Sequence, residues 1–190
     1  MFTEIYSWFT SLGGKLLEGG ENPEFVDYYT RYFDETPICS VVFWTGLGIA
    51  LVVALLYYFG VCNYVFKLAK RWVWLCVLAL VFIVTFFTTM PIIVGHDADD
   101  PEESTGIFYT AHQTEQDKWD ATEDTQARDE ISDVAISFRE QFMAKEDSIV
   151  MEETLPYEMS LVNGIFAMIF FFVFSILFKR FTRDGAAVPF

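Results

Sequence analysis

Three stretches of this chain contain no Asp, Glu, Lys, Arg or His: residues 36–66, 72–95 and 159–178. Each reaches the roughly 20 residues that cross about 30 Å of hydrocarbon at about 1.5 Å per residue. A helix in a soluble core rarely runs that far without a polar face. The expected fold is therefore an all-α integral membrane protein with transmembrane helices at 37–66, 72–95 and 158–178. Intramembrane ionisable groups, which proton relays, voltage sensors and most ion-coupled transporters require, are missing from these stretches.

The charged residues are gathered between the spans. The chain has 27 Asp and Glu against 12 Lys and Arg, a formal charge of −15. Lys67, Lys70 and Arg71 fall in the link 67–71, and Lys179, Arg180 and Arg183 fall in the tail 179–190. The positive-inside rule places both on the cytoplasmic side, or its organellar equivalent. The N-terminus is then outside, the C-terminus inside, and Asp184 is the one acidic residue expected inside. This leaves an outer segment at 1–36 and an acidic outer domain at 96–157. The opening "MFTEIYSWFTSLGGKLLEGG" has neither a basic start nor a long apolar run, so the first span is expected to act as its own targeting signal. A bacterial inner membrane is the favoured location, with an organellar inner membrane as the alternative.

Small residues suggest how the spans pack. Gly46, Ala50 and Ala54 recur every four residues in the first span, and Ser160, Gly164 and Ala167 give the third a similar face. Such stripes let helices approach closely, and Asn163 beside them can hydrogen-bond across an interface. Pro91, in "TFFTTMPII", is expected to kink or end the second span, with Thr85, Thr88 and Thr89 able to bond the freed carbonyls.

Outside the spans, Phe2, Ile5, Tyr6, Phe9, Leu12 and Leu16 have helical spacing, with Trp8 nearby. The pattern predicts an amphipathic helix, lying in the outer interface or packed on the outer domain. "GGKLLEGGENPEF" reads as a flexible break. Farther on, Ile131, Val134, Ala135, Phe138 and Phe142 form one stripe of a helix expected over about 125–147. That stripe must be buried against an upstream segment, the N-terminal helix or a partner.

"GHDADDPEESTG" reads as a loop. Its Asp97, Asp99, Asp100, Glu102 and Glu103 offer hard oxygen atoms suited to calcium, yet Pro101 and Glu102 stand where an EF-hand needs a ligand and a turn glycine. His96 and His112 share no helical register for a transition metal. Solvation of a membrane exit is the leading reading, with attraction of cations or a basic protein behind it. The three cysteines, Cys39, Cys62 and Cys76, have no metal-ligand spacing.

No GxSxG, Walker A, HExxH or glycine-rich nucleotide loop occurs, so no enzyme activity, cofactor or metal is expected. The exposed charge has the wrong sign for nucleic acid. The expected function is a non-catalytic structural or accessory subunit of a membrane complex. Its partners would be lipid, other subunits or copies of itself, and a basic soluble protein at the outer face. The alternative is a homo-oligomeric, cation-favouring channel or membrane effector with the acidic domains ringing its mouth.

Overall fold

The computed structural model describes residues 1–18, 20–62, 71–143 and 152–181. Among the described residues every regular element is helical. Helices α1 (Phe2–Phe9) and α2 (Leu12–Glu18) are followed by a 3-10 turn at Pro23–Phe25. Helix α3 (Val26–Thr30) runs into a π-helical turn at Arg31–Glu35. Helix α4 (Ile38–Leu55) continues as a π-helical turn over Leu56–Val61. Then come α5 (Arg71–Val94), α6 (Gly106–Ala121), α7 (Thr125–Glu140) and α8 (Leu155–Lys179).

Among the described residues three helices are long and apolar enough to cross a membrane: Ile38–Val61, Arg71–Val94 and Leu155–Lys179. Of the most apolar 18 residues in each, only 28%, 28% and 33% are buried within the chain. The remaining faces are apolar and need lipid or a neighbouring chain to cover them.

The chain divides into two compact units. The first comprises residues 1–41 and 90–159, and so contains one end of each span together with all of α1–α3, α6 and α7. The second comprises 42–89 and 160–190, the bodies of the three spans.

In the first unit the N-terminal segment gathers the three span ends. The Tyr32 hydroxyl donates to the Ile93 carbonyl, and to that of Ile92 at 3.3 Å, capping the last turn of α5. The Phe33 carbonyl accepts from the Thr3 hydroxyl at 3.0 Å and from the Cys39 thiol, 3.8 Å away in the first turn of α4. Ser11 donates from its amide and its hydroxyl, both at 2.7 Å, to Glu158 in the first turn of α8.

Local chemistry explains several departures from the sequence reading. The single amphipathic helix expected at the N-terminus is two helices, because Thr10 both ends one and starts the next. Its hydroxyl donates to the Tyr6 carbonyl at 2.7 Å and accepts from the Leu12 amide at 3.2 Å. The break expected at "GGKLLEGG" is helical through Gly13 and Gly14, and turns instead at Gly20, with φ +61°. Pro91 does not terminate the second span. The helix runs one turn further to Val94 and closes on Gly95, whose φ is +76° and whose amide donates to the Pro91 carbonyl at 2.8 Å. Helix α7 ends at Glu140, short of the expected 147. Residues 141–143 are a turn, and 144–147 lie outside the described residues.

In the second unit the six small residues face inward. Gly46, Ala50, Ala54, Ser160, Gly164 and Ala167 are all buried. A β-carbon on Gly46 would come within 2.7 Å of Asn163 Oδ1, and one on Gly164 within 2.8 Å of the Phe82 ring. Asn163 donates to the Val42 carbonyl and to the Thr89 hydroxyl, each at 2.9 Å, so one amide links all three spans. Thr89 therefore receives from Asn163, while the buried Thr85 hydroxyl has no hydrogen-bond partner among the described residues. At the other end of this unit Trp74 donates to Ser175 at 3.2 Å, and Ser175 donates to the Phe171 carbonyl at 2.7 Å.

Candidate functional site

The first unit holds nearly all of the negative charge. Residues 1–41 and 90–159 contain 26 acidic and 6 basic side chains, against 1 and 6 in the rest of the chain. Such an excess destabilises a compact unit by self-repulsion unless something offsets it. Apolar packing does so first. Phe138 of α7 lies 4.8 Å from the Tyr28 ring and stacks on it, and meets Phe25 and Tyr29 edge-on at 5.1 and 5.2 Å. Phe142 joins the same group, 5.2 Å from Phe138. Aromatic pairs in these geometries contribute about 0.5–1.5 kcal/mol each beyond burial.

This seam decides where the apolar stripe of α7 goes. Ala135, Phe138 and Phe142 are fully buried within the chain, Phe138 against the rings of the N-terminal segment and Phe142 beside Phe138. They are not a free surface for another protein. Ile131 and Val134, at the other end of the stripe, are partly exposed and line a cleft of about 500 Å³ with Pro23, Glu24 and Glu130.

Basic side chains supply the second offset. Arg31 pairs with Asp117, and Lys118 pairs with Asp27 at 2.8 Å while lying 5.2 Å over the Tyr28 ring. Arg139 binds Glu115 at 2.9 Å. Arg128 stacks on Trp119 at 4.4 Å and donates to the Thr122 carbonyl at 2.6 Å. The fifth described cation, Lys15, meets Glu153 at 2.7 Å in the most buried of these pairs, with side chains 13% and 9% exposed. All five are thus engaged inside the unit.

Glu153 is the node of that pair. One carboxylate oxygen takes Lys15 and the amides of Thr154 and Leu155, at 2.9 and 3.3 Å, and so caps the start of α8. The other accepts from the Tyr29 hydroxyl at 3.0 Å. Burial, with the Glu153 carboxylate beside it, holds the Tyr29 phenol well above its ordinary range. Tyr28 is pushed up to about 12 by burial, with Glu115 adding and Arg139 opposing. A cleft of about 570 Å³ opens over this node, lined by Ser11, Lys15, Asn22, Gln141 and Glu152 among others.

The acidic loop is a closed structure. Gly95 and Gly106, with φ +76° and +64°, lie against each other at its two ends. A β-carbon on Gly95 would sit 2.0 Å from the Thr105 carbonyl oxygen, so only glycine fits. His96 and Thr105 exchange two bonds of 2.9 Å, and the Ala98 amide donates to Ser104 at 3.2 Å. The Asp100 side chain accepts from the Glu102 amide at 3.0 Å.

Of the five acidic loop residues, Asp99, Asp100, Glu102 and Glu103 are exposed. Asp97 turns inward to His112 Nε2 at 3.2 Å. Arg139 donates to the opposite nitrogen, Nδ1, at 2.9 Å, which assigns the ring proton to Nε2. Asp97, His112, Arg139 and Glu115 thereby tie the loop to α6 and α7. Among the described residues no three His, Cys, Asp or Glu side chains converge as a metal site. Beside this relay lies a cleft of about 710 Å³ whose walls include Glu102, Tyr109, Trp119 and Asp129.

Arg71 opens α5, Lys179 ends α8 and Arg180 follows it, while Lys67, Lys70 and Arg183 lie outside the described residues. Sequence reasoning missed Tyr29, Glu153 and the Gly95–Gly106 clasp. The paired glycines flanking the acidic loop were the available signal for the last. Comparison with protein families, curated proteins and solved structures gives no match to this chain.

Proposed function

We propose that this chain is a non-catalytic subunit of a membrane assembly, anchored by its three spans and presenting the acidic unit to a basic partner outside the membrane. The observation that carries this reading is the fate of the cations. The unit has 26 acidic side chains, and each of its five described basic ones is already engaged within it. The exposed loop carboxylates Asp99, Asp100, Glu102 and Glu103, with Asp129 and Asp133 along α7, face solvent with no counter-ion among the described residues, a surface complementary to Lys and Arg. The cleft beside the His112 relay adds exposed Tyr109 and Trp119 to that charge. The low internal burial of the spans supports the same reading, since neighbouring subunits can cover what the chain leaves open.

The channel alternative has less support. Gly46, Ala50 and Ala54, which would have mediated self-assembly, are occupied within the chain, so a pore would need another face.

The test is a native mass of protein extracted gently from its own membrane, at low and high salt, with every co-purifying chain identified. The reading predicts a reproducible set of different chains, of which a basic one is released as salt rises. A clean multiple of 21.9 kDa at both salt concentrations would overturn it.

A further inference from the structure

Helices α1 and α2 bury one face and leave a different apolar face open. Tyr6 and Leu12 are fully buried within the first unit. Trp8 is 82% exposed, Phe9 61% and Leu17 84%. An indole and a leucine so exposed in adjoining short helices are costly in water and call for an apolar cover.

Their place in the unit says what that cover is. The helices are pinned to the first turns of two membrane spans. Ser11, three residues after Trp8, makes two 2.7 Å bonds to Glu158 in the first turn of α8. Thr3 shares the Phe33 carbonyl with Cys39, in the first turn of α4. Val41, two residues further along α4, is itself exposed and would meet lipid there. A span begins where hydrocarbon gives way to headgroups, and Trp is the side chain that favours that level.

We propose that α1 and α2 form a bilayer-interface element, with Trp8 and Leu17 seated in the headgroup region at this end of the spans. The element acts as a fourth membrane contact and fixes the height of the acidic unit above the lipid. Its attachment is apolar rather than electrostatic. Glu4 is the only charged residue of α1, and it is exposed, so anionic lipid is not needed.

Depth measurement on the full chain in zwitterionic phosphatidylcholine bilayers tests this. A nitroxide is attached at Trp8→Cys in a Cys76→Ser background, Cys39 and Cys62 being buried. Reference labels sit at Asp129→Cys and at Phe87→Cys, which is exposed within the second span. Collision with oxygen relative to a water-soluble nickel chelate should be several-fold higher at position 8 than at 129, and lower than at 87. A ratio equal to that at 129 would place Trp8 in water and overturn the proposal. Low collision with both reagents would show protein covering it, and would overturn the proposal equally. Because labelling replaces the indole, fluorescence gives a second measure. Quenching by lipids brominated near the headgroup should remove more emission from the native chain than from Trp8→Phe. Equal losses would contradict the proposal.

Discussion

Phe138 and Asn163 each join elements distant in the chain, by opposite means. In the first unit a ring is clamped by three others, and each described basic side chain is engaged by a neighbour within the unit. In the second no described residue between Val42 and Thr89 is charged except Arg71, and one side-chain amide with a bed of small residues does the joining. Water makes apolar burial strong and ion pairs weak. Lipid removes the hydrophobic drive between helices and leaves close packing and hydrogen bonds. The proposed placement of the acidic unit outside the membrane would make the division between the units a division between those two sets of rules.

The comparison can be broken most forcefully at Glu153. Glu153→Ala strands Lys15 in a buried site, frees the Tyr29 hydroxyl and uncaps α8. Loss of one partner of a buried pair costs about 3–5 kcal/mol, read as a fall in the thermal midpoint of the first unit by near-UV circular dichroism in nanodiscs. Phe138→Ala should cost a similar 3–5 kcal/mol by opening a cavity in the aromatic seam, and its effect should persist at high salt. A salt-sensitive Phe138→Ala would mean that the seam is not held by burial.

In the second unit the same class of experiment should give less. Asn163→Ala is expected to cost about 1 kcal/mol, because membrane hydrogen bonds average less than that and reach about 1.7. A loss equal to that of Glu153→Ala would show the polar link to be the main support of the spans. Arg31→Ala, at a pair with both partners more than a third exposed, should change stability by at most about 0.5 kcal/mol.

Alkali sharpens the contrast more gently. Tyr28 and Tyr29 keep their protons to higher pH when folded than when unfolded. Their contribution is fully present below about pH 10, the ordinary phenol value, and is lost as pH rises through the folded values. The first unit should lose midpoint above pH 10, with tyrosinate absorbance at 295 nm rising as it unfolds. Titration of all nine tyrosines at the ordinary value without loss of fold would contradict the burial of these two.

What was legible in the sequence followed from solvent. Charge-free length marks a span whatever surrounds it, so the three helices could be found from composition alone. The α7 stripe was equally visible, but its destination was not. The rings that meet Phe138 lie more than a hundred residues upstream, and nothing local in "FVDYYTRYF" names a partner. Glu153 was hidden for a different reason. It is one carboxylate among 27, and only the buried Lys15 and the free amides of α8 give it a role. Pro91 lies inside its helix rather than ending it, and the stop comes one turn later at Gly95, whose packing on Thr105 no local rule reveals.

Sidedness in sealed vesicles tests the division between the units most directly. Single cysteines at Asp99 and Asp129 report the acidic unit, and single cysteines at Arg71 and Arg180 report the other end of the spans. A membrane-impermeant maleimide should label the first pair from one side of the membrane only and the second pair only after the vesicles are opened or inverted. Labelling of all four from the same side would contradict a three-span chain that holds its acidic unit on one side of a bilayer and its basic residues on the other.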